Sequence, residues 1–277
     1  MSSFAFTKLT CQSIKTTDIP DEAMLAVLSQ RFALGVLFGS REAVPFISNS
    51  VASYVRYLNS TTDDCTWQYT TYPSEPVLSH AAAEFMHRDE RSLFHLLHHL
   101  ANKILSGFID AGEVGELIGR LLLLISRDYA AILAYDIQIS TRLPDLLPNR
   151  SVPFPRLDTK FFPYLRPVPL LDVLNILFGH QWSSAASNSS ETEEERNTRE
   201  RLIKSTFERA YISCSHWTVM TEDIGPLSKD TSAEDWLKGY FLRGIAVQCR
   251  HDQPLIDAVI PIMLLNDEDQ HVAMFTV

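Results

Sequence analysis

The chain has 277 residues, with 24 Lys+Arg against 34 Asp+Glu, 45% hydrophobic residues and 21% charged ones. That is ordinary globular composition, which excludes a disordered chain, a collagen-like repeat and a disulfide-dense miniprotein; the length allows one large domain or two small ones. The formal net charge of −10 argues against nucleic acid as a partner bound through its backbone, because such binding needs a concentrated basic surface.

Cys11, Cys65, Cys214 and Cys249 lack CxxC spacing and the density of a secreted scaffold, and they read as buried free thiols in a reducing compartment. The start MSSFAFTK carries no charged segment followed by an apolar one, so no signal peptide is expected. Residues 23–40 are the most apolar long stretch, but Ser29, Gln30 and Arg31 interrupt its centre. In a membrane that guanidinium would lie near mid-bilayer, at a cost of about 2.5–3.5 kcal/mol. A buried amphipathic helix fits better. The expectation is an intracellular protein, cytoplasmic or nuclear, without a membrane span.

In chain order, Asp21 can cap a helix running to about Gly39, with Leu25, Leu28, Phe32 and Val36 at helical steps. A second helix is predicted over 46–58, with Val51, Tyr54, Val55 and Leu58 on one side, and a loop over 60–76. A third helical region spans 78–108, with a break near Asp89. The clearest helix follows Asp110-Ala111-Gly112: Val114, Leu117, Ile118, Leu121, Leu122 and Ile125 form a wide apolar stripe, continued by Tyr129. It should be buried deeply.

Seven prolines within 144–169 preclude a long helix or a central strand and predict an extended connection. A short helix over 170–178 should stop at Gly179. Residues 183–195 are polar, low in complexity and expected to be disordered, and a charged helix follows from about Arg196. Ser232 to Asp235 resembles a capping box before a helix over 236–242. Then come three β-branched apolar runs, 245–249, 256–264 and 271–277, separated by turn chemistry; they read as a meander, with Pro261 favouring an edge or a bulge.

The expected fold is therefore α+β and predominantly α-helical, a helical N-terminal layer with a C-terminal three-stranded β-meander. The expected organisation is an N-terminal helical region (1–77), a helical core (78–142), a connecting region with a short helix and an acidic linker (143–200), and helices with the meander (201–277).

No phosphate loop, dinucleotide fingerprint, nucleophile elbow or HExxH is present. His95 and His99, in FHLLHHL, would share a helix face at a spacing that suits two zinc ligands; the plainer reading is an amphipathic helix with solvated or satisfied histidines. Glu113 and Glu116 complement a helix dipole, and Glu116 precedes Arg120 at surface ion-pair spacing. Gly112, Gly115 and Gly119 lie along one side, each weakening a helix by roughly 1 kcal/mol relative to Ala, for which close approach of another backbone would compensate. Asp257 interrupts an apolar run, which is costly for an unpaired carboxylate unless it binds a cation or lies at the strand's exposed start.

GEVGELIGRLLL (112–123), followed far downstream by FLRGIAVQC (241–249) and IDAVIP (256–261), resembles an uncharacterised protein family expanded in mushroom-forming fungi. The C-terminal half of that family is similar to the PD-(D/E)XK nuclease-like core, and the resemblance covers roughly residues 78–277. It implies that Glu116 matches the helix glutamate and Asp257 the aspartate of the second strand, which in an active enzyme hold Mg²⁺ against the scissile phosphate. The third strand should then carry a lysine two positions after a Glu or Gln. Here it carries none, the core reads as truncated at Val277, and the nearest lysines in this half are Lys229 and Lys238. Loss of comparable electrostatic stabilisation commonly costs on the order of 10²–10³ in rate. The expectation is thus a non-catalytic, degenerate nuclease-like protein with no cofactor, associating with itself or another protein through the C-terminal strand edge. The alternative is a Mg²⁺-dependent nuclease acting on DNA or RNA.

Overall fold

The computed structural model describes residues 2–16, 19–36, 43–61, 63, 68–109, 114–134, 163–179, 192–220, 233–249, 257–265 and 270–276. The described residues are mostly helical, with small sheets. They divide into two compact units, one built from Met1–Leu121 with Ser215–Val219, the other from the remainder beginning at Leu122. Cys65, Gly112, Glu113, most of the proline-rich stretch and residues 183–191 lie outside the described residues.

The first unit is helical. It holds α1 (Ser2–Thr10), α2 (Asp21–Phe32), α3 (Ala43–Ser53), a ribbon of β1 (Tyr57–Thr61) and β2 (Gln68–Thr71), α4 (Pro76–Met86), α5 (Glu90–Leu105) and the start of α6 (Val114–Ala134). Helix α2 is at its centre, buried continuously from Leu25 to Phe32. It ends well before Gly39, because Ala33 turns into the left-handed region at φ 49° and returns its N–H to Ser29. The break near Asp89 is a true helix start: the Asp89 carboxylate accepts from the Ser92 N–H at 2.7 Å.

Two expectations fail here. The second helix stops at Ser53, burying Phe46, Ile47 and Ser50 instead of the Val51 and Leu58 side. Val55 adopts φ 60°, which ends the helix and turns the chain into β1. The segment read as a loop contains β2, paired antiparallel to β1 through Tyr57↔Thr71 and Thr61↔Gln68. Two-stranded pairings of polar, Thr-rich sequence have no apolar alternation to announce them.

Arg31 is fully buried in this unit. Its guanidinium donates to the Ser215 carbonyl and lies 3.5 Å from the Ser79 hydroxyl. Ser79 in turn donates to the same carbonyl at 2.6 Å. Beside it, the Gln30 amide donates to the carbonyls of Pro73 and Glu75 at 3.0 and 3.3 Å. Gln30 and Arg31, from the polar triplet that argues against a membrane helix, tie α2 to the α4 entry and to the residue before β5 (His216–Val219).

The second unit holds the rest of α6, β3 (Val168–Pro169), α7 (Leu170–Phe178), α8 (Glu193–Phe207), β4 (Ala210–Ile212), α9 (Ala233–Arg243), β6 (Ile245–Gln248), β7 (Ala258–Leu265) and β8 (Gln270–Thr276). β7 organises its sheet. One edge pairs antiparallel with β8 along its whole length; the other is shared, Ala258 and Val259 pairing with β6 and Ile262 to Leu264 with β4. Pro261 is therefore in an interior strand and not at an edge. It falls in the gap between the β6 and β4 pairings, where a missing N–H removes no ladder bond on that side. The C-terminal strands thus belong to a larger sheet that also recruits β4 and β3.

Both faces of this sheet are covered, which explains the unbroken apolar run of β7. Val259 and Met263, with Tyr211 and Val247, pack against Leu237 and Phe241 of α9. Ile262 and Leu264, with Ala210, pack against Leu170 and Leu174 of α7. Two capping details differ from or sharpen the sequence reading. α8 begins at Glu193, earlier than Arg196, because Thr192 and Glu195 form a reciprocal capping box. α7 stops where Gly179 takes φ 81°.

Arg127, on the buried side of α6, donates to the carbonyls of Tyr164 (2.6 Å) and Arg166. It pins the chain entering β3. The thiols are mixed: Cys214 and Cys249 are buried, but Cys11 is exposed. No helix among the described residues is long and apolar enough to cross a membrane.

Replacing Arg31 by Met should lower the unfolding free energy by about 2–3 kcal/mol, the worth of a charged hydrogen-bond donor to a buried carbonyl. The shift of the urea midpoint relative to wild type measures it; an unchanged midpoint would show that the guanidinium contributes nothing net.

Candidate functional site

Glu116 lies in the first turn of α6 and is half-buried. Arg120, four residues on, is 3% exposed and donates to the Ala33 carbonyl at 3.2 Å. Asp257 occupies an exposed bend immediately before β7. Its carbonyl accepts from the Cys249 N–H at 2.8 Å, and the Cys249 thiol is pushed up by burial, with the Asp257 charge adding to it. Glu116 belongs to the first unit and Asp257 to the second. No group of three or more His, Cys, Asp and Glu side chains able to hold a metal occurs among the described residues.

The histidines have unlike environments. His80 is fully buried, with Nε2 3.2 Å from the Glu84 carboxylate. His95 and His98 are exposed, and His98 stacks under Phe94 with the ring planes 9° apart. His99 is 9% exposed; Nδ1 is 3.6 Å from Asp21, and the buried Nε2 has no hydrogen-bond partner among the described residues. Burial pulls the His99 imidazole below its ordinary value; Asp21 and Glu22 oppose that shift, and Lys103 and His98 assist it.

These side chains line a cleft of about 440 Å³ along α5. Its apolar floor is Ile19, Met24, Phe85 and Leu96, and its walls are polar. Arg88 stacks on the Phe85 ring at 4.2 Å and donates to the carbonyls of Ile14 and Thr16 at 3.1 and 2.7 Å, which fixes the segment before α2. Asp89 titrates below its ordinary value: burial works against this, but the Ser92 backbone and hydroxyl bonds and the Arg88 charge outweigh it. The amphipathic pattern of α5 was readable from sequence, but its pairing with Ile19 and Met24 across a cleft was not.

A second arrangement had no sequence signal. The Ser74 hydroxyl is 2.8 Å from His216 Nε2, and His216 Nδ1 is 3.0 Å from the Ser215 hydroxyl. Positions 142 residues apart meet because the Ser215 carbonyl is held by Arg31 and Ser79.

Residues 17–161 match the family described as a domain of unknown function, DUF8736. The chain belongs to that family. The matched region runs from the segment before α2 through α6, so it includes the α5 cleft. No curated protein and no solved structure matches the chain.

His99 makes a pH prediction. Its folded value is below 6.5, so the neutral imidazole's contribution is complete above that pH and is lost as pH falls, because the unfolded chain takes up the proton first. Thermal midpoints of wild type should decline below pH 6.5 more steeply than those of His99→Gln. Parallel curves would remove His99 from the acid sensitivity.

Proposed function

We propose that the protein acts without catalysis, by associating with a second polypeptide, and that the open face of α6 is a surface it uses. Gly115 and Gly119 are exposed, and a methyl group built on either meets nothing within 4 Å. Ile118 between them is 48% exposed, and Leu122, one turn on, 53%. Residues at these spacings are neighbours on a helix surface. The deep burial expected of this helix's apolar stripe is absent at Ile118 and Leu122. A glycine in a helix interior costs roughly 1 kcal/mol relative to Ala, and among the described residues no close backbone compensates for it at Gly119. A helix of another copy crossing there would supply both the close approach and the cover for Ile118. That open stripe is the observation that carries the reading.

The edge of β8 is a further surface for the same role. β7 is its one strand neighbour among the described residues, and an open strand edge can accept another strand. In the resemblance to the PD-(D/E)XK core, β6, β7 and β8 correspond to the three-stranded meander, and Asp257, matched to the metal-binding aspartate of the second strand, lies immediately before β7. The antiparallel succession of these strands supports that correspondence. The absence of a lysine from β8 favours a degenerate core over a working nuclease. The nuclease reading would need Mg²⁺-dependent cleavage of DNA or RNA that disappears in both Glu116→Ala and Asp257→Ala.

Light scattering across a concentration series should show a dimer that Gly119→Leu converts to monomer with no loss of thermal midpoint. Gly119→Ala should raise monomer stability by up to about 1 kcal/mol, since the added methyl enters open space. A wild-type chain that stays strictly monomeric at the highest attainable concentration would count against self-association.

A further inference from the structure

From the α5 cleft we infer a binding site for a small organic anion with a planar apolar body, of the aryl or heteroaryl phosphate class. The wall of the cleft includes Arg91, His95 and His98, at i, i+4 and i+7, and these three face solvent on successive turns. They present a guanidinium and two imidazoles in a row, groups that donate N–H to phosphate oxygens. The competing charges in the cleft are committed. Asp89 accepts from the Ser92 N–H at 2.7 Å and lies 3.4 Å from Arg88, which itself donates to the carbonyls of Ile14 and Thr16. Among the described residues that line the cleft, Arg91 is the remaining arginine.

The floor selects the rest of the ligand. Phe85 and Leu96 are 3% and 1% exposed overall, yet both line the cleft, so a flat apolar group can lie against them. Phe94, 66% exposed and stacked on His98, extends an aromatic surface beside the mouth. His99 also lines the cleft, and its Nε2 has no hydrogen-bond partner among the described residues. With Nδ1 facing Asp21 and the ring neutral, Nε2 is an acceptor, suited to a hydroxyl or amino substituent on the ligand. The volume of about 440 Å³ falls within the range of small-molecule sites. The chain's overall charge of −10 is compatible with this choice: it repels a long polyanion, whereas a single phosphate within a Debye length of about 8–10 Å answers mainly to the groups beside it.

The test titrates the full chain with phenyl phosphate and, separately, with inorganic phosphate and phenol, following the imidazole resonances of the nine histidines. Phenyl phosphate should saturate and move the signals of His95, His98 and His99, and it should bind at least about tenfold more tightly than either fragment, since only it uses wall and floor together. Arg91→Glu should weaken it about tenfold or more, the loss of one charge-assisted contact. His95→Gln, also at an exposed position, should weaken it as well, and both variants should keep the wild-type far-ultraviolet spectrum. Lys8→Glu, on α1, should leave affinity unchanged. Absence of saturation, movement of histidines other than these three, equal binding of inorganic phosphate, or unchanged affinity in both Arg91→Glu and His95→Gln would each overturn the inference.

Discussion

Guanidinium groups that close on backbone carbonyls, three of them on buried arginines, fix the connections of this protein. Arg31 reaches the Ser215 carbonyl, Arg88 those of Ile14 and Thr16, Arg120 that of Ala33, and Arg127 those of Tyr164 and Arg166. Taking an arginine out of water costs several kcal/mol unless its donors are filled. Each of these side chains directs N–H donors to carbonyls at the ends of elements or in the segments between them. The result is that connections which carry few apolar residues are nonetheless fixed in place.

The same logic explains why a polar arrangement can exist inside the first unit. Ser215 is placed by Arg31 and Ser79, and His216 follows it directly, so the imidazole arrives beside Ser74 with both ring nitrogens in hydrogen-bonding range of hydroxyls. A network of this kind is favourable only when its members are mutually satisfied. Its geometry belongs to the packing of α2 and α4.

The two surfaces singled out above are of opposite character. The α6 face is apolar and small, with Gly115, Ile118 and Gly119 uncovered on a helix whose Leu117 and Leu124 are buried. The α5 cleft is basic at its mouth on a chain with an excess of acids. Both fall within the region that defines the family, residues 17–161. The second unit differs: its sheet is covered on both faces by α7 and α9, and β8 contributes an edge.

The chain's own pattern determined the helices α2, α4, α5 and α6 in outline, the break near Asp89, the stop at Gly179 and the apolar runs that became β6, β7 and β8. It also determined that Arg31 could not sit in a bilayer. These follow from local chemistry, where caps, glycine and period report on neighbours a few residues away. Only the tertiary structure decided that α6 leaves one side open, that β4 shares an edge of β7 and places Pro261 in a gap, and that Val55 turns the chain into a polar ribbon. Glu116 and Asp257, paired by resemblance, fall in separate units, while His99 and Asp21 come within 3.6 Å. The reason is range: hydrogen bonds and burial depend on which segments meet, and a partner 184 residues away, as Ser215 is for Arg31, leaves no mark on local periodicity.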